Sequence, residues 1–127
     1  MNRKVERTLA FAQEDFDRFA ELSGDANPIH VNVAFAAQSR FGRPVAHGVL
    51  LCAVLRGLVQ ELAPGGTLQQ QEVMFAAPTF ADEPMTFSAA VVREDESGAH
   101  IALNVVRKAD GETTCEGSCS VLRESSS

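Results

Sequence analysis

Residues Gly48–Val59 form an apolar run broken only by Arg56. The run is too short for a membrane span, which takes about 20 apolar residues. The pattern predicts a helix over Val49–Leu62, opened by His47-Gly48 and closed by Pro64-Gly65-Gly66. A helix that is apolar nearly all round must be covered on most sides.

The cover comes after it in the chain. Leu68–Phe75, Met85–Arg93, His100–Val106 and Thr113–Leu122 read as strands. In His100–Val106, Ile101, Leu103 and Val105 face one way, and Ala102, Asn104 and Val106 the other. The turn Ala109-Asp110-Gly111-Glu112 is a hairpin signal before the last strand. Before the long helix, Val5–Phe11 reads as a first strand, and Glu14–Leu22 and Val33–Phe41 as shorter helices. One strand, then helices, then an antiparallel meander is an α+β layout, with a curved sheet wrapped around a central helix.

The length, 127 residues, fits one domain over 1–127, with residues 1–4 and 124–127 expected to fray. The net charge of −6 and the scattered basic residues disfavour nucleic-acid binding. No membrane span is expected. Three cysteines, an odd number, and an N-terminus without an apolar signal stretch point to a reducing cytoplasm. Cys115 and Cys119 lie four apart on one strand face, without the spacing or company of a metal site, and read as small strand residues. The chain has three histidines and neither Tyr nor Trp. Proton transfer must therefore come from few residues.

The richest segment is Ser23-Gly24-Asp25-Ala26-Asn27-Pro28-Ile29-His30. A carboxylate and an imidazole stand five residues apart, across a loop stiffened by Pro28. Such a loop can hold two proton-transfer groups against one water, the ingredients of general acid–base catalysis. The same residues also fit a plain turn, with Asp25 bonded to local backbone and His30 to a carbonyl. The second element is Ala46-His47-Gly48 at the helix start. Free N–H groups there form a natural oxyanion site, and Gly48 lets a carbonyl come close. A helix start that merely holds Gly is the alternative.

Taken together, Gly24-Asp25-x-Asn27-Pro28-x-His30, Phe35-Ala36 and Phe41-Gly42-Arg43-Pro44-Val45-Ala46-His47-Gly48 resemble the MaoC-like dehydratases, which include R-specific enoyl-CoA hydratases. The resemblance covers about 50 residues and rests on a double motif. It implies a hot-dog fold and a homodimer, or a dimer of dimers. It also implies hydration of trans-2-enoyl thioesters of CoA or acyl-carrier protein to (R)-3-hydroxyacyl thioesters, with no cofactor or metal. Asp25 and His30 would hold the water, and the Gly48 N–H would hold the thioester oxygen. Asn27 would orient the loop, with His47 beside the oxyanion site. Acyl-carrier-protein, branched or dicarboxylic substrates are alternatives. A thioesterase is disfavoured because the helix holds one acid, Glu61, at its far end. A non-catalytic acyl-binding domain is disfavoured because both Asp25 and His30 are present.

In the C-terminal half, Gln71, Phe75, Pro78 and Phe80 follow the family's strand and proline break, but Asp82-Glu83-Pro84 replaces its Gly-Asp turn. Phe75, Phe80, Val54 and Leu58 are candidates for the acyl pocket, with Phe87 in the core. Arg40, Arg43, Arg56 and Lys108 are candidates for the CoA phosphates. His100 has no assigned role.

Overall fold

The computed structural model describes residues 3–123. Its elements are β1 (Lys4–Leu9), α1 (Gln13–Ser23), α2 (Pro28–Val31), α3 (Val33–Ala37), α4 (Gly48–Leu62), β2 (Thr67–Phe75), β3 (Met85–Glu94), β4 (Gly98–Arg107) and β5 (Thr113–Leu122). The strands form one antiparallel sheet in the order β1-β3-β4-β5-β2. The sheet curves around α4, as the hot-dog fold requires.

The alternating pattern of β4 does what it predicts. Ile101, Leu103 and Val105 are buried, and they join Met85, Phe87 and Ala89 of β3 against α4. From α4 come Leu51, Leu55, Leu58, Val59 and Leu62, one stripe at helical spacing. Each such side chain, fully buried, contributes about 1.5–3 kcal/mol. The sheet covers this stripe, and Leu50 and Val54 pack partly against the same core. Val49 on another side of α4 is 69% exposed, and Ala53 and Gly57 are exposed too.

Four expectations need correction. First, the strands after the helix are not one meander. Only β3, β4 and β5 are sequential neighbours; β2 crosses to the far side and pairs with β5. The link over residues 76–84 carries Pro78 and Pro84 and is too long for a tight hairpin. Second, β1 ends at Leu9, and Phe11 turns into the core against Phe16 and Phe87. Third, the helix expected over Val33–Phe41 stops at Ala37, and Pro28–Val31 forms a short helix of its own. Ser39 ends α3: its hydroxyl donates to Ala36 O and accepts from Phe41 N–H. Fourth, residues 3 and 4 do not fray. Arg3 donates to Leu62 O, and Lys4 pairs with Ala90. Residues 1–2 and 124–127 lie outside the described residues.

The three thiols are free. Cys115 and Cys119 are buried, as small strand residues should be. Burial first, then the neighbouring Cys52 and Glu116, push the Cys115 thiol up to about 11. It is a packing group and not a nucleophile.

Asp82 sits at φ 64, the one positive-φ residue other than glycine among those described. It occupies the turn where the resembled family carries Gly-Asp. Its N–H donates to Phe11 O at 2.6 Å, so the turn is tied to the core entrance. The left-handed conformation costs an L-residue roughly 1 kcal/mol, which glycine avoids. Asp82→Gly is therefore expected to raise stability by up to about 1 kcal/mol in urea unfolding. A clear loss of stability would mean that the carboxylate, and not the backbone, matters there.

Candidate active site

The loop between α1 and α2 is built by local rules. Gly24 ends α1 in the left-handed region, φ 80, and its N–H returns to Ala20 O. Asn27 caps α2 by accepting from Ile29 N–H at 3.1 Å, with Pro28 in the first turn. The loop thus leaves one helix and enters the next at fixed angles. Asp25 and His30 are held at its two ends.

Asp25 makes a different contact with each carboxylate oxygen. Its Oδ1 accepts from Asn27 N–H at 3.3 Å, the local turn bond. Its Oδ2 faces His30 Nε2 at 3.7 Å. The other nitrogen of His30, Nδ1, lies 2.8 Å from Val45 O. A carbonyl only accepts, so Nδ1 carries a proton, and in the neutral ring this leaves a lone pair at Nε2. Two acceptors therefore face each other, just beyond direct bonding distance. That gap is a seat for a donor such as one water. The His30 side chain is 14% exposed and that of Asp25 56%, so the seat opens outward.

His47 locks the arrangement from below. It is 2% exposed, and its Nε2–H donates to the backbone carbonyl of Asp25 at 2.9 Å. Its ring stacks on His30 with centroids 3.9 Å apart and meets Phe19 edge-on at 4.8 Å. Its Nδ1 is buried without a partner among the described residues. Asp25, His30 and His47 offer ligand atoms within 4.8 Å of one another. Of these groups, His47 Nε2 is already committed to the Asp25 carbonyl.

His47 is also the N-cap of α4, but its side chain makes no cap bond, having turned to the loop. Gly48 opens the helix, and its N–H has no acceptor among the described residues. A Cβ at Gly48 would stand 2.9 Å from Cζ of Phe75, so the ring of β2 rests on the bare glycine. Beside them lies a cleft of about 290 Å³, lined by Arg40, Phe41, Gly48, Leu51, Phe75 and Pro78 among others.

The remaining site expectations divide. Phe75 lines the cleft. Phe80 does not; it pairs with Val45 and lies under the Arg43 guanidinium at 4.1 Å. Val54 packs against the core, and Leu58, 3% exposed, is part of it; neither lines the cleft. Among the cations, Arg40 reaches the cleft lip and lies over Phe41. Arg43 is paired with Glu83 at 2.9 Å. Arg56 lies on α4 near Cys119, and Lys108 follows β4, its N–H on Pro84 O. His100 is exposed on β4.

Sequence reasoning missed four supports. Val45 accepts from His30 and donates to Ile29 O. Thr79 is buried and takes the Ala46 N–H at 2.8 Å. Glu83 and Arg107 form an ion pair behind them. The break at Pro78 was the available signal that something crosses here.

The chain belongs to the MaoC-like family, whose MaoC like domain model matches residues 1–113. It is 33% identical over 109 residues to the (R)-specific enoyl-CoA hydratase of Aeromonas caviae, covering 83% of this chain and 81% of that protein. The solved structure of the (R)-hydratase from A. caviae involved in PHA biosynthesis superposes with a TM-score of 0.87 at 29% identity, covering 96% of this chain and 95% of that one. The R-hydratase PhaJ1 of Pseudomonas aeruginosa, in the unliganded form, gives 0.89 at 26% identity over 99% of this chain and 83% of that one.

Proposed function

We propose that the protein is an R-specific enoyl-thioester hydratase, working in reverse as a 3-hydroxyacyl-thioester dehydratase. The observation that carries this is the gap between Asp25 Oδ2 and the His30 Nε2 lone pair. A water seated there bonds its oxygen to the β carbon of a trans-2-enoyl thioester and leaves one proton with the pair. The pair returns a proton to the α carbon, so the inventory closes without a cofactor. As the thioester oxygen gains enolate charge, the unengaged Gly48 N–H at the head of α4 receives it. Asn27 shapes the loop, and His47 holds the Asp25 carbonyl. The acyl chain enters the cleft beside Phe75, with Arg40 at its lip for an anionic carrier. The R configuration is supported by the activity in the relatives' names.

The unit is a homodimer in this reading. The uncovered side of α4, with Val49, and the edge strand β2, with Met74 59% and Phe75 47% exposed, supply its surface. Free thiols support action in the reducing cytoplasm. Among the described residues, no helix is long and apolar enough to cross a membrane.

The test is direct. Crotonyl-CoA is added to the purified protein, and the enoyl-thioester absorbance is expected to fall, giving the (R)-3-hydroxy product on chiral analysis. Unchanged absorbance with CoA and carrier-protein thioesters alike, or release of free thiol, would overturn the reading. A faster rate with one carrier assigns the physiological substrate.

A further inference from the structure

We propose that Glu83 and Arg107 are positioning residues for the acid–base pair, acting through the strap of residues 43–48. This rests on the hydratase reading and goes beyond it, since neither residue touches the reacting groups. The strap lies between the catalytic loop and the crossover that links β2 to β3. On the loop side, Val45 O accepts from His30 Nδ1–H, and His47 donates to Asp25 O. On the crossover side, Ala46 N–H donates to Thr79 O at 2.8 Å, and Val45 bridges Phe80. The position of Val45 O decides the His30 tautomer, and the strap's last residue is Gly48. Whatever holds the strap therefore holds both halves of the chemistry.

Glu83 and Arg107 hold it from two directions. Arg107 is at the end of β4, with its side chain 11% exposed. Its guanidinium is divided between two tasks. Nη1 bonds Asp110 at 3.2 Å and Glu112 at 2.8 Å, which closes the β4–β5 turn. Nη2 donates to Pro78 O at 2.9 Å, and Nε faces Glu83 Oε1 at 3.3 Å. The second task is not needed by the turn; it fixes the crossover one residue before Thr79. Glu83 then passes its other oxygen to Arg43 at 2.9 Å, the first residue of the strap. The Phe80 ring lies 4.1 Å from the Arg43 guanidinium and 6.0 Å from that of Arg107. Burial opposes the Arg107 charge, but the hydrogen bond to Asp110 and the charges of Glu83 and Asp110 outweigh it and raise its pKa. The cation is thus permanent, and a Lys could not serve both tasks at once.

A plain fold-stabilising role for the same ion pairs makes a different prediction, and Asp110 separates the two. Glu83→Gln keeps shape but weakens the link to the strap. Asp110→Asn weakens the hold of Arg107 on the turn but leaves its contacts to Pro78 O and Glu83 in place. Under this proposal, Glu83→Gln lowers kcat for crotonyl-CoA hydration about tenfold with KM nearly unchanged, because the geometry and not the binding is lost. Asp110→Asn leaves kcat within about twofold of wild type even where its Tm falls as far. In 15N spectra of the imidazoles, wild type gives the Nδ1–H pattern for His30, and Glu83→Gln gives an averaged one. Equal kcat in Glu83→Gln and wild type, or kcat losses that merely follow Tm in both variants, would overturn the proposal. So would an unchanged His30 pattern. That spectrum needs no turnover, so a wild-type protein inactive on enoyl thioesters would defeat the hydratase reading and still leave the clamp to be judged.

Discussion

Asp25→Asn and His30→Ala are each expected to lower kcat for enoyl-thioester hydration by roughly 100- to 10,000-fold, the usual share of a positioned acid or base. The two losses should not multiply. Each variant leaves one acceptor facing the water seat, and a water held by a single acceptor is neither aimed nor deprotonated. The double variant should therefore be little worse than the poorer single one. Asp25 is exposed and its Oδ1 bond to Asn27 N–H can be kept by the Asn carbonyl, so the loop should survive. His30→Ala removes a bond to Val45 O and a ring stacked on His47, so its Tm should fall somewhat. Steady-state kinetics with circular dichroism checks both points. Near-normal turnover in either variant would remove that residue from the mechanism.

The largest expected effect on stability is at a position with no chemistry. Gly117 lies in β5 where β2 crosses it, and a Cβ there would stand 2.0 Å from Glu72 O and 2.8 Å from Val73 Cα. Those atoms are backbone in a paired strand and cannot swing aside. Gly117→Val should therefore separate β2 from β5 at mid-length, costing about 3 kcal/mol or more by analogy with overpacked cores. Thermal unfolding should fall by roughly 10 °C. Because β2 ends in Phe75, which rests on Gly48, what folded protein remains should also hydrate poorly. A Tm within a degree or two of wild type would mean that the β2–β5 ladder is looser than its register implies.

The sequence made some of this legible and concealed the rest for a physical reason. The bounds of α4 came from an apolar run between a Gly start and a Pro-Gly-Gly stop, signals that act within a few residues. Asp25 and His30 were readable because one loop carries both, and a Pro and a Gly fix its exits. The Asp-Gly turn before β5 was local in the same way. The choice of β5 as the partner of β2 was not, since strand-like residues in β2 would satisfy either neighbour. Thr79, Glu83 and Arg107 owe their importance to that choice. In the sequence, Arg107 is half of an Arg-Lys pair, and Glu83 is the second of two adjacent acids before a proline. A helix apolar nearly all round does not say which stripe meets the sheet, so the place of Leu58 on that stripe was not legible either.

The crossing of β2 has a consequence for how the chain acquires its shape. The hairpins β3–β4 and β4–β5 join segments close in sequence, whereas β1–β3 and β2–β5 join segments far apart. Closing such long loops is opposed by chain entropy before any contact rewards it, and topologies rich in distant pairs fold slowly. The strap, the crossover and the Phe75–Gly48 contact all depend on the distant pairs. The loop that carries the reacting groups is thus local, but the crossover that backs its strap is fixed only when the distant pairs close on the platform of the local hairpins.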